Sequence, residues 1–212
     1  MRTRRLTCFA ALAATVVLAA GCAAQTNTDA ASATGGSASS SAAAAETTAS
    51  SAPATADPDD AASVSPFSGD TEADVADPAA PEGLTLTAVR TGRHEGFDRV
   101  VFEFAGTGTP GWSVEYVDTP SSPGDGAVVD VPGRAFLQVT LQGTSYPYDS
   151  GAQEVARGPV AVSGTQVVDG VFYDATFEGS SVAWIGAGDR VPFRVYALTG
   201  PSRVVVDVSD AG

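Results

Sequence analysis

From Leu84 onward apolar and polar residues alternate with a period of two, and the segments that do so are short. Leu84-Thr85-Leu86-Thr87-Ala88-Val89-Arg90 reads as a strand, Arg93-His94-Glu95-Gly96 as a turn, and Arg99-Val100-Val101-Phe102-Glu103-Phe104 as a strand with Val100, Phe102 and Phe104 inward. Gly111 to Val117 continues the pattern with Trp112, Val114 and Tyr116 on one face. After a Pro/Gly loop over 120–126, alternation returns in Ala127 to Val131, Ala135 to Leu141, Gln166 to Phe177, Ser181 to Ile185, Phe193 to Leu198 and Arg203 to Val208. No segment keeps a 3.6-residue period over three turns. Many short strands punctuated by Gly, Pro and Asp imply an all-β fold, an antiparallel sandwich or barrel, in one domain over 84–212.

Before Leu84 the composition is of another kind. Residues 23–83 hold 20 Ala, 10 Ser and 7 Thr, with ten acids, no basic residue and Phe67 as the one aromatic. Such a stretch buries too little apolar area to offset the entropy of ordering, so 22–83 reads as a disordered acidic tether, its Ala tracts broken by Gly35-Gly36 and by prolines. As a flexible coil it would reach on the order of 40 Å. Its Ser, Thr and Pro content also permits O-glycosylation.

Residues 1–21 have a cationic start at Met1-Arg2-Thr3-Arg4-Arg5 and an uncharged run from Leu6 to Ala20. The run is short of the roughly twenty residues that span a hydrocarbon core, so it reads as a cleaved export signal. Leu18-Ala19-Ala20-Gly21-Cys22 resembles the lipobox of bacterial lipoproteins, although Ala19 stands where that pattern prefers Leu. The resemblance implies lipidation of Cys22 and a membrane-anchored protein on the extracytoplasmic face. Thioether-linked diacylglycerol with an N-acyl chain anchors stably without a spanning helix, at about 0.8 kcal/mol per buried CH₂. The other reading is an ordinary secretory signal cut near Ala20 or Ala24.

Cys8 and Cys22 are the only cysteines, so the processed chain has no disulfide and folds on its core alone. The formal charge is −14, with 11 Arg, no Lys and 25 acids, which excludes nucleic acid and anionic membrane surfaces as bulk electrostatic partners. The absence of Lys beside abundant Ala, Gly, Arg and Val suits a high-GC bacterium.

Arg99-Val100-Val101-Phe102-Glu103-Phe104 is echoed by Arg203-Val204-Val205-Val206-Asp207-Val208. In each copy the Arg and the acid lie four apart, on one face of a strand. Antiparallel pairing with Val101 opposite Val205 brings Arg99 to Asp207 and Glu103 to Arg203, whereas parallel in-register pairing sets like charges together. Coincidence in a Val-rich chain is the alternative.

The run from Gly92 through Phe104, followed by Trp112-Ser113-Val114-Glu115-Tyr116 and closed by Phe193-Arg194-Val195 and Pro201-Ser202-Arg203-Val204-Val205-Val206-Asp207-Val208, resembles the AMIN-like domain of actinobacterial exported lipoproteins over about residues 84 to 210. The closing motif is also similar to the end of the AMIN domain, which in other envelope proteins precedes cell-wall amidases or secretin pores. The resemblance implies a β-sandwich that binds an envelope component, peptidoglycan foremost, or alternatively an adaptor that recruits another envelope protein.

The residues argue against catalysis. A zinc amidase needs several metal ligands, and His94 is the only histidine, set between Arg93 and Glu95. No Gly-x-Ser-x-Gly elbow occurs. Asp118, Asp125 and Asp130 lie near a loop but lack the Asp-x-Asp-x-Asp-Gly calcium pattern, so no cofactor is expected. For ligand binding the candidates are Tyr146 and Tyr148, as rings to stack on sugars, and Arg93, as a cation for a wall-peptide carboxylate. Arg90 and Arg99 are weighed with Arg93, against ion pairing with Glu95 and Asp98. Trp112 and Trp184, in strands, are read as core.

Overall fold

The computed structural model describes residues 67–211. Cys22, the export signal and most of the tether lie outside the described residues.

Among the described residues ten strands and one helical turn follow in order: β1 (Asp74–Ala76), β2 (Ala79–His94), β3 (Phe97–Thr109), β4 (Gly111–Val117), β5 (Ala135–Gln142), α1 (Pro147–Ser150), β6 (Gly158–Val160), β7 (Val168–Phe177), β8 (Ser180–Ala187), β9 (Phe193–Leu198) and β10 (Ser202–Ser209). They form a four-stranded sheet in the order β2-β3-β10-β9 and a six-stranded sheet in the order β1-β4-β5-β8-β7-β6, with every strand pair antiparallel. The fold is an all-β sandwich.

The period-two pattern sets the core. Val100, Phe102, Phe104, Val204, Val206 and Val208 of the first sheet meet Val114, Leu137, Val139, Leu141 and Ile185 of the second, and all are buried. Trp112 and Tyr116 flank that cluster as partly buried side chains. Each large aliphatic group taken from water here contributes about 1.5–3 kcal/mol, and no disulfide assists.

The echoed strands pair directly. β10 runs antiparallel to β3 with Val205 opposite Val101, Arg203 opposite Glu103 and Asp207 opposite Arg99. Asp207 Oδ1 accepts from Arg99 Nε at 2.7 Å, and Asp207 Oδ2 accepts from Arg99 Nη2 at 3.1 Å and from Arg194 Nε of β9 at 2.9 Å. Phe97 lies under both guanidinium groups, each 5.2 Å from its ring centroid. A second carboxylate joins the sheets: Asp98, fully buried, accepts the backbone N–H groups of Gln166, Val167 and Val168 at 2.7, 2.6 and 2.9 Å. Those three donors lead into β7, so one side chain from the four-stranded sheet holds the start of a strand in the other.

Three expectations need correction. Strand structure begins at Asp74 rather than at Leu84, because β1 pairs with β4 and Asp74 Oδ1 accepts the Trp112 indole N–H at 2.8 Å. Phe67, still earlier, packs 5.9 Å from Phe97 and under Arg194. Composition averaged over 61 residues hid this folded end. The segment Ala127–Val131 is not a strand: its alternate valines, Val129 and Val131, cover Trp184 from outside the six-stranded sheet. β7 starts at Val168 rather than at Gln166, because pairing with β8 begins at Val168 opposite Ala187.

Tyr173 of β7 is buried, donates its O–H to Glu154 Oε1 at 2.6 Å, and lies 3.2 Å from the Thr176 hydroxyl. Desolvation, then the Glu154 hydrogen bond, hold its phenol well above the usual value of 10. A raised folded-state pKa means that the unfolded chain releases this proton first, so the contribution is full below about pH 10 and lost as pH rises beyond it. Stability measured from pH 8 to 11.5 is therefore expected to fall above pH 10. Tyr173→Phe should shallow that decline and cost about 1 kcal/mol at neutral pH; an alkaline limb unchanged by the substitution would contradict the assignment.

Candidate functional site

An open groove of about 580 Å³ lies on the outer face of the six-stranded sheet. Its floor follows from strand alternation: Leu137, Val139 and Leu141 of β5 point to the core, so Gln138 and Thr140 point outward, beside Val182 and Ser180 of β8. One wall is the segment 118–134 between β4 and β5, which lies across the sheet as a strap. The other is β7 from Asp174 to Phe177, with Arg157.

Glycine and proline seat the strap. A Cβ on Gly186 of β8 would stand 1.9 Å from the Pro132 carbonyl oxygen, and one on Gly170 of β7 would stand 2.6 Å from Pro132 Cδ. The Arg134 N–H donates to Ala187 O at 2.8 Å, fixing the strap's end. Beneath it Val129, Val131, Val182 and Trp184 form a second apolar cluster, in which Trp184 is fully buried. At the other end the Ser122 hydroxyl donates to Asp174 Oδ2 at 2.6 Å, and Asp174 Oδ1 accepts from Arg157 Nε at 2.5 Å. This carboxylate therefore ties the strap to β7 and orients Arg157, whose side chain stays 59% exposed.

The groove's polar groups are only partly used. Among the described residues, the Gln138 amide has one contact, to Thr140 Oγ1 at 3.5 Å, and the Arg157 Nη groups have no hydrogen bond. Asp125 on the strap accepts the Ala127 N–H with one oxygen. Phe177 at the groove's edge is 58% exposed.

Tyr146 and Tyr148 stack on each other with ring centroids 5.0 Å apart and planes 11° from parallel. The Tyr146 hydroxyl accepts the N–H of Glu178, the residue after Phe177, which puts the pair beside one end of the groove. Tyr148 is 76% exposed. Arg93 is elsewhere. It sits at the far end of the strands with Asp98 and Asp210, where β7 begins, and the structure does not gather it with the tyrosines. Arg90 pairs with Glu103 at 3.2 Å. Trp184 is buried as expected, but under the strap; Trp112 is partly buried in the main core. His94 stacks on Phe97 at 5.0 Å, and no metal-ligating cluster occurs among the described residues.

Sequence reading missed Gln138, Arg157 and Phe177. Gln138 and Thr140 were legible as the outward positions of a strand, but nothing local marks which outward face carries a groove. Arg157 lies between elements, without periodicity.

The fold and site together define a two-sheet antiparallel sandwich whose outer face bears a strapped, partly polar groove. Residues 84–210 match the AMIN-like domain family, and the chain belongs to it. That membership makes it an envelope-associated module. No curated protein matches the chain. Among the described residues no helix is long and apolar enough to cross a membrane.

Proposed function

We propose that this chain is an exported lipoprotein, anchored through acylated Cys22 on the extracytoplasmic face of the cell membrane, whose AMIN-like module binds peptidoglycan without enzymatic action. The observation that carries the reading is the family match across 84–210, on a chain that opens with a lipobox-like leader. The Ala/Ser/Thr-rich acidic stretch serves as a tether that carries the module from the membrane to the wall, ending at the folded residues that precede β1.

The experiment is co-sedimentation of the full chain, purified without its leader, with insoluble peptidoglycan. Retention above that of an unrelated acidic protein is expected, and it should persist in 0.5 M salt because the leader-free chain, with 8 Arg against 25 acids and a net charge of −17, gains little from bulk attraction. Retention no greater than the control overturns wall binding.

A further inference from the structure

We infer that the strapped groove binds an uncharged, N-acetylated sugar chain, so that the module holds the glycan rather than the peptide part of the wall; this rests on the wall-binding reading above. The groove's volume of about 580 Å³ lies within the range of roughly 300–1,000 Å³ usual for small-molecule sites. Its chemistry is that of a surface for hydroxyl and acetamido groups. Gln138 offers both a donor and an acceptor, Arg157 offers a planar fork of donors held in place by Asp174, and Asp125 offers an acceptor from the strap. These planar groups suit neighbouring hydroxyls on a sugar edge, which donate and accept in pairs.

Sugar rings also carry C–H faces, and the groove provides for them. Large apolar side chains exposed among the described residues are few, and two of them, Phe177 and Tyr148, stand at the groove or just beyond its end. Phe177 is positioned to take one sugar face, and the Tyr146–Tyr148 stack extends the aromatic surface past the β7–β8 turn for a longer chain.

Charge selects among occupants. Two carboxylates, Asp125 and Asp174, line the groove against one cation, Arg157, on a chain of net charge −14. An anionic wall polymer would meet repulsion there, whereas an uncharged glycan meets none.

The test titrates the full, leader-free chain with the tetramer of β-1,4-linked N-acetylglucosamine, which has the acetamido sugar and no peptide or charge. Saturable binding is expected, changing less than about twofold between 0.05 and 0.5 M salt because no ion pair with the ligand forms. Phe177→Ala and Arg157→Gln should each weaken it about tenfold or more, a loss of roughly 1.4 kcal/mol. Both sites are exposed, and Val75→Ala, on the opposite edge strand, should leave binding unchanged. If the wild-type chain sediments with peptidoglycan but ignores the tetramer, or if both groove variants bind as wild type does, the groove assignment fails and wall binding stands. If neither peptidoglycan nor the tetramer is bound, both fail.

Discussion

Replacing Asp207 with alanine lowers the unfolding free energy by about 3–5 kcal/mol, the cost of removing one partner from a buried ion pair. Asp207 is fully buried and Arg99 nearly so, and the carboxylate serves two guanidinium groups, those of Arg99 and Arg194. Without it, two cations stand side by side against Phe97 in a setting of low dielectric. Asp207→Asn retains an acceptor and is expected to lose less. A urea titration at neutral pH should show the midpoint moved down with its slope unchanged. Because the pair is buried, the loss should be nearly as large in 1 M salt. A loss under about 1 kcal/mol would contradict the assignment, since that is the range of an exposed ion pair.

Gly186→Ala should lift the strap. The added Cβ would lie 1.9 Å from the Pro132 carbonyl oxygen, and both partners are backbone of ordered segments, so no flexible side-chain end can yield. The strap must move outward, uncovering Val129, Val131 and Trp184, at a cost on the order of 3 kcal/mol, the burial of about two aliphatic side chains. Tryptophan fluorescence follows this directly. Trp184 passes from full burial toward water and its emission shifts to the red, while Trp112 of β4, held by Asp74 of β1, supplies a constant background. The groove loses a wall at the same time. Unshifted emission and unchanged resistance to acrylamide quenching would show that the strap is not seated on this glycine.

What could be read from the chain followed from local periodicity. Alternation fixes which side of a strand faces the core, so Val100, Phe102 and Phe104 were legible without coordinates. The Arg-Val-Val-apolar-acid echo carried longer-range information, since only antiparallel pairing about Val101 and Val205 joins Arg99 to Asp207 without setting like charges together. The resemblance over about 84–210 had the same basis, motifs lying within paired strands. The strap was not legible, because Ala127–Val131 alternates as a strand does and only Gly170, Gly186 and Pro132, distant in sequence, show that it crosses a sheet instead of joining one. The folded start before Leu84 was missed because a few contacts, Asp74 with Trp112 and Phe67 with Phe97, anchor residues whose composition is that of a tether. Of the candidate binding residues, Tyr146 and Tyr148 lie by the groove on account of one hydrogen bond to Glu178, and Arg93 is taken up by Asp98 and Asp210.

Under the proposed function the chain is held outside the cell by acyl groups at Cys22, and the intact mass of the protein recovered from producing cells measures this most directly. Cleavage before Cys22 with added diacylglycerol and fatty-acid mass is expected, together with release of Cys22→Ala from the membrane fraction. An unacylated parent mass, or a Cys22→Ala protein that stays with membranes as the parent does, would contradict it.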